Sequence, residues 1–194
     1  MKKKSFWKRC NRGFIVSMAL LVAVALYVTA TQLILSGQKK DIREVYDGVQ
    51  SLLTQELQMP AQDMQALLDE KSASSYTEDL RQKLEPYFVE DAAYLTEGAD
   101  SIVSSLQTAA MDEVEITSVR SAHPNLSIRI DEETATAEGY VTYEAAGKWP
   151  SYEYGLVMDS HEQTGSVYVN LSASFVLEDG AWKIYRISSV YFGY

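Results

Sequence analysis

The sequence predicts an α+β protein: an N-terminal transmembrane helix, then helices packed on one curved, mostly antiparallel sheet. Three observations predict it. An apolar run near the N-terminus carries no charge between Arg12 and Lys39. From Ile42 to Asp112 apolar residues recur at intervals of three and four, the helical period. After Asp112 they alternate, the strand period, and helices followed by hairpin-joined strands is the α+β order.

The charge is sharply divided. The 194 residues carry 17 Lys+Arg against 27 Asp+Glu, a net charge of -10. Eight of the bases fall within residues 1–40, where there is no acid, so residues 41–194 hold nine bases and all 27 acids, a net of -18. So acidic a body argues against a nucleic-acid partner, which needs a basic surface. At 46% apolar and 23% charged, the composition is that of a folded chain.

The first element is the apolar run from Phe14 to Leu35. A helix needs roughly 20 apolar residues to cross the hydrocarbon core, and this run supplies them. Phe6 and Trp7 stand where an interfacial anchor would sit, and six bases precede the run. That bias predicts a cytoplasmic N-terminus and an extracytoplasmic C-terminal part in a single-pass cell-membrane protein. The alternative is a cleaved secretory signal, for which Val28-Thr29-Ala30 is a tolerable site. The run exceeds the roughly 7–15 apolar residues of a signal core, which favours the anchor. Cys10, the one cysteine, precedes the run and reads as a free cytoplasmic thiol. The outer part has no disulfide to lean on and must be stable on its core.

The expected division is a cytoplasmic basic tail (1–13), a transmembrane helix (14–36), a stalk or first outer helix (37–59) and an extracytoplasmic α+β domain (60–194). Ile42, Val45, Val49, Leu52 and Leu53 form one stripe of that first helix, either a stalk pairing with a second copy or a face packed on its own domain. Pro60 ends it. Met64, Leu67 and Leu68 mark a short second helix, Lys71-Ser72-Ala73-Ser74 a polar loop, and Ser75-Tyr76-Thr77-Glu78 the capping box of a third. Pro86 interrupts, and a further helix is expected from Glu90 to Ala110, with Gly98 as a bend.

Strands are expected at Glu113–Arg120, around Leu126, Ile128 and Ile130, over Thr134–Ala145, and through Val167, Val169, Leu171, Ala173, Phe175 and Leu177. Glu178-Asp179-Gly180-Ala181 reads as a hairpin turn, because Asp-Gly supplies the positive backbone angles such turns require. Trp182, Ile184 and Val190 line the returning strand.

The run Val167 to Leu177, the turn Asp179-Gly180 and the segment Trp182-Lys183-Ile184, coming after two or three helices, resemble the nuclear transport factor 2-like superfamily over about residues 60–192. The resemblance implies a cone-like sheet. With the anchor, the layout is similar to bitopic bacterial envelope proteins: assembly factors of type IV secretion and conjugation machines, or mammalian-cell-entry-associated membrane proteins. That implies a non-enzymatic interaction or scaffold module among other envelope proteins, bound to the bilayer through residues 14–36, with homo-oligomerisation left open. Ala19 and Ala23 add only a weak small-xxx-small hint. The alternative within the same fold is a small-molecule or lipid pocket, or an enzyme grown from one.

Relatives that are enzymes place an Asp, His or Tyr inside the cone. Here His123 precedes Pro124 in an expected turn and His161 lies in the expected loop Asp159-Ser160-His161-Glu162, so no catalytic residue is assigned. Asp159, His161 and Glu162 lack a fourth ligand for zinc, and Asp131-Glu132-Glu133 reads as a solvated turn, not a calcium loop. No phosphate-binding glycine loop or nucleophile elbow is present, and no cofactor is expected. Tyrosine is the unusual residue: eight of 13 lie within 140–194. The candidate partner-binding residues are Trp149, Tyr152 and Tyr154, in the stretch Lys148-Trp149-Pro150-Ser151-Tyr152-Glu153-Tyr154, read as an aromatic connection between strands.

Overall fold

The computed structural model describes residues 12–122, 125–153 and 156–192. The chain divides into two compact units, Met1–Lys40 and Asp41–Tyr194. The element order is α+β as expected: α1 (Arg12–Glu56), α2 (Ala61–Ala66), α3 (Glu70–Leu84), a 3-10 turn (Glu85–Tyr87), α4 (Ala93–Met111), then β1 (Glu115–Ala122), β2 (Ser127–Asp131), β3 (Thr134–Glu153), β4 (Leu156–Glu178) and β5 (Ala181–Phe192).

In the first unit the described residues are helical, and the helix is long and apolar enough to cross a membrane. Leu20, Leu21, Val24, Leu26, Leu33 and Ile34 are all exposed. Its two threonine hydroxyls are satisfied inside the helix: Thr29 donates to the Ala25 carbonyl at 2.8 Å and Thr31 to the Tyr27 carbonyl at 2.9 Å. No polar group on those two side chains therefore depends on water.

In the second unit α1 is amphipathic. Ile42, Tyr46, Val49 and Leu53 lie on one face and are buried in the body's core. The stripe packs on its own domain, which decides between the two readings of the first outer helix. Pro60 sits just before α2, where its fixed φ of -58° is tolerated. The start of α3 differs from expectation. Asp69 caps it, accepting the Ser72 N–H at 2.9 Å, so Lys71–Ser74 is helical and Ser75 lies inside the helix. Both caps are chemically sound; the earlier one wins because it also buries Ala73. Helix α4 starts at Ala93, not Glu90, and is unbroken at Gly98, where the missing side chain makes room for the Tyr94 ring. That ring stacks on Phe88 with centroids 5.5 Å apart.

The sheet order is β1-β3-β4-β5, every ladder antiparallel, with β2 pairing the first half of β3 on the side where β1 pairs its second half. Bulges between Ile116 and Ser118, Ser151 and Tyr152, and Ser174 and Phe175 curve the long strands. One face packs on the helices: Ala135, Ala137, Val141, Leu171, Ala173, Phe175, Trp182 and Ile184 join Leu80, Leu84, Phe88 and Leu95 in one core. Burying each large side chain there contributes about 1.5–3 kcal/mol. The Asp-Gly turn forms as expected, with Asp179 at φ 51° and Gly180 at φ 81°.

Candidate functional site

β3 and β4 pair along their whole length, but their neighbours do not. β1 stops against Lys148, and β5 covers β4 only from Tyr168 to Glu178. Residues 149–153 and 156–161 therefore form a two-stranded ribbon, while residues 162–167 of β4 pair with the part of β3 that β1 still flanks. The aromatic stretch is consequently strand, not a connection, and so is the segment holding His161. Sequence reading missed this because Pro150 and Gly165 are ordinarily breakers. Here Pro150 stands where β1 has ended and β3 is an edge, which needs no N–H from it.

Trp149 is half-buried, and its ring lies over Gly147, close enough that a Cβ there would sit 2.8 Å from a ring carbon. Gly147 is needed for that close approach. Trp149 pairs with His161 across the ribbon, so both side chains share a face. His161 is exposed and in hydrogen-bond contact with Gln163. The backbone of Tyr152 pairs with Val157, but its side chain lies outside the described residues, as do Tyr154 and His123 entirely. Of the three proposed partner-binding residues, the structure thus gives a side-chain environment for Trp149, and part of that ring serves the fold. Among the described residues, no group of three His, Cys, Asp or Glu gathers to hold a metal.

The body also holds a polar constellation that the sequence reading did not single out. Gln50 of α1 is 4% exposed and accepts a 2.7 Å hydrogen bond from the Tyr143 hydroxyl. Gln58 donates at 2.6 Å to the Val119 carbonyl, and the Thr54 and Ser121 hydroxyls lie 3.3 Å apart. Tyr46, beside Tyr143 and Asp47, has its hydroxyl pKa raised by burial and then by those neighbours. It stays protonated at any physiological pH and cannot serve as a base. An open groove of about 390 Å³ runs along this seam, lined by Asp47, Gln50, Thr54, Arg120 and Ser121. A second, of about 440 Å³, lies across β1, β3 and β4 at Arg120, Glu144 and Ser166. These groups give neutral hydrogen bonding and one carboxylate–guanidinium neighbourhood. No signal in one dimension points to a pairing between residues 93 positions apart.

A third cluster ties α1 to α3. Tyr76 donates to Glu56, and Lys83 reaches Glu56 at 2.9 Å and Asp79 at 2.9 Å. The Tyr76 pKa is raised by burial and by Glu56; that of Lys83 is raised by its hydrogen bonds to Glu56 and Asp79.

No protein-family model matches the chain, and no curated protein matches it. Solved structures are similar to it. One is the Kfla4162 protein from Kribbella flavida, at 10% identity over 80% of this chain and 91% of that one, with a TM-score of 0.44. Another, from Streptomyces avermitilis, is named as a dehydratase of the nuclear transport factor 2-like family. It shares 10% identity over 81% and 97% of the two chains, with a TM-score of 0.38. A third, from Xanthomonas campestris, is named as a polyketide cyclase, at 20% identity over 68% and 91%, with a TM-score of 0.28. Scores and identities this low carry no chemistry across to this chain.

Proposed function

We propose that this chain is a membrane-anchored interaction module. Residues 14–36 span the bilayer, the basic tail stays in the cytoplasm, and the acidic body binds other proteins of an envelope transport, secretion or conjugation assembly. The observation that carries the reading is the first unit's part of α1, a helix whose large apolar side chains from Leu20 to Ile34 are exposed and whose Thr hydroxyls need no water. Such a surface is costly in water and natural in hydrocarbon. The competing reading, a small-molecule pocket inside the sheet, needs an enclosed cavity with a convergent polar group. The inward face of the sheet is instead filled by Ala137, Val141, Ala173 and Phe175, all 0% exposed, and the grooves described above open to solvent. This supports binding through the surface.

The test is crosslinking in intact membranes, followed by affinity isolation of the tagged full chain. The reading predicts recovery of defined envelope proteins through the body. Recovery of no protein partner, together with a tightly bound small molecule, would reverse the choice.

A further inference from the structure

The apolar run carries few polar side chains, and its two threonines need nothing beyond their own helix, donating to carbonyls one turn back. Gln32 differs. Its primary amide offers two N–H donors and an oxygen acceptor, and among the described residues it has no hydrogen-bond partner. Gln32 stands four residues before Ser36, about 6 Å inside the outer end of the span. Helical side chains lean toward the N-terminus, which here is the cytoplasmic end. The amide therefore leans toward the middle of the hydrocarbon, away from the outer headgroups, where an unpaired amide is costly. The same face has room for a neighbour. Met18, Val22, Ala25, Thr29, Gln32 and Ser36 follow one another at alternating steps of four and three, the seam of a left-handed helix pair. All of these side chains are exposed. Ala25, Thr29 and Ser36 are small, so two backbones can approach closely on either side of Gln32. Tyr27 is also exposed, but it lies about 140° round the helix from Gln32, off the seam.

We infer that two copies of this chain pair along this seam within the membrane, each Gln32 amide donating one N–H to the carbonyl oxygen of the other. Symmetry and depth select a second copy as the occupant. A primary amide is complementary to itself, so one residue satisfies both sides of a two-fold contact. Two copies inserted with the same topology run parallel, which brings Gln32 to Gln32 at equal depth. No charge falls on the seam between Arg12 and Lys39. Lys39, the next seam position, sets like charges opposite each other, which confines the pairing to the span. This self-pairing rests on residues 14–36 spanning the bilayer and leaves the body to bind other proteins.

The full chain in native membranes tests the seam. Cys10→Ser removes its one cysteine. In that background, thiols placed on the seam of a parallel pair come within disulfide reach, whereas thiols on the far side of the helix do not. Oxidation should therefore yield several-fold more disulfide-linked dimer from Ala25→Cys and Ser36→Cys than from the off-seam Ala30→Cys or Ile34→Cys. Adding Gln32→Leu to Ala25→Cys should lower that yield, Gln32→Asn should keep most of it, and Tyr27→Phe should leave it unchanged. In vesicles of phosphatidylcholine and phosphatidylglycerol, energy transfer between differently labelled full-length copies should show dimerisation weakened about 5- to 30-fold by Gln32→Leu, with the thermal melt of the body unchanged. Equal yields on and off the seam, a dimer indifferent to Gln32→Leu, or crosslinks only to a different protein would overturn the pairing. Labelling of a body cysteine in sealed cells separates that failure from loss of the anchor, because Gln32→Leu should leave the topology as it is.

Discussion

Gln50 and Tyr143 show how much of this body depends on single polar contacts. The Gln50 amide oxygen is buried, and the Tyr143 hydroxyl is its donor. Tyr143→Phe should leave that oxygen unsatisfied at a cost of about 1–3 kcal/mol. Tyr143→Phe with Gln50→Leu should recover most of the loss, because both polar partners then disappear together. A double-mutant cycle by denaturant titration, followed by Trp182 fluorescence, reads the difference. Trp149 and Gly147 form a second such pair. Gly147→Ala would drive a Cβ to 2.9 Å from the Glu115 carbonyl and into the indole. The expected outcome is a loss of about 1–3 kcal/mol and a changed environment for Trp149, visible as a shift in its emission. The sequence marked Trp149 as unusual but not what it touches, since the covering of Gly147 depends on the strand continuing through Pro150.

At the scale of elements, the helical stripes and the Asp-Gly turn were legible because period and turn chemistry are local properties. Ile42, Val49 and Leu53 needed only the right spacing to become a core face, while Tyr46 joins that face and the expected Val45 and Leu52 are only partly buried at its margin. The ends of elements were harder. Two acceptable caps, Asp69 and Ser75, stand six residues apart, and tertiary burial of Ala73 chose between them. Strands β3 and β4 run beyond the alternating stretch because each supplies the other's hydrogen bonds, a pairing that hydropathy does not report. Buried Tyr46 and the tie between α1 and α3 together have a pH signature. Tyr46 and Tyr76 have folded pKa values raised above the ordinary 10.0, and Lys83 above 10.5. All three favour the protonated form in the fold, so their contribution is complete below those ordinary values and is lost as pH rises through the folded ones. Unfolding should begin above pH about 10. Tyr76→Phe should make that alkaline transition shallower while leaving stability near neutrality less affected than Lys83→Met does. A series of melts between neutral and alkaline pH checks it. In the hairpin, Gly180→Ala should destabilise by about 1 kcal/mol, because φ 81° strains any side chain.

At the scale of the whole molecule, the partition of charge is the most consequential fact in the sequence. Residues 1–40 hold eight bases and no acid, whereas residues 41–194 carry a net charge of -18. The two parts suit opposite surroundings: a basic tail beside anionic lipid on one side, and an acidic body on the other. The proposed placement of the tail, the apolar run and the body rests on composition. The edge that β4 presents over residues 162–167 among the described residues was not legible there, because an unpaired edge is a property of how strands are ordered. The measurement that bears most directly on the central claim is cysteine labelling of sealed cells with a membrane-impermeant maleimide. The account predicts that Cys10 stays unlabelled until lysis, whereas a cysteine placed in the body, such as Glu178→Cys in the Cys10→Ser background, is labelled at once on a chain of full length. Labelling of Cys10 in sealed cells, protection of the body, or a mature chain beginning near residue 31 would contradict it.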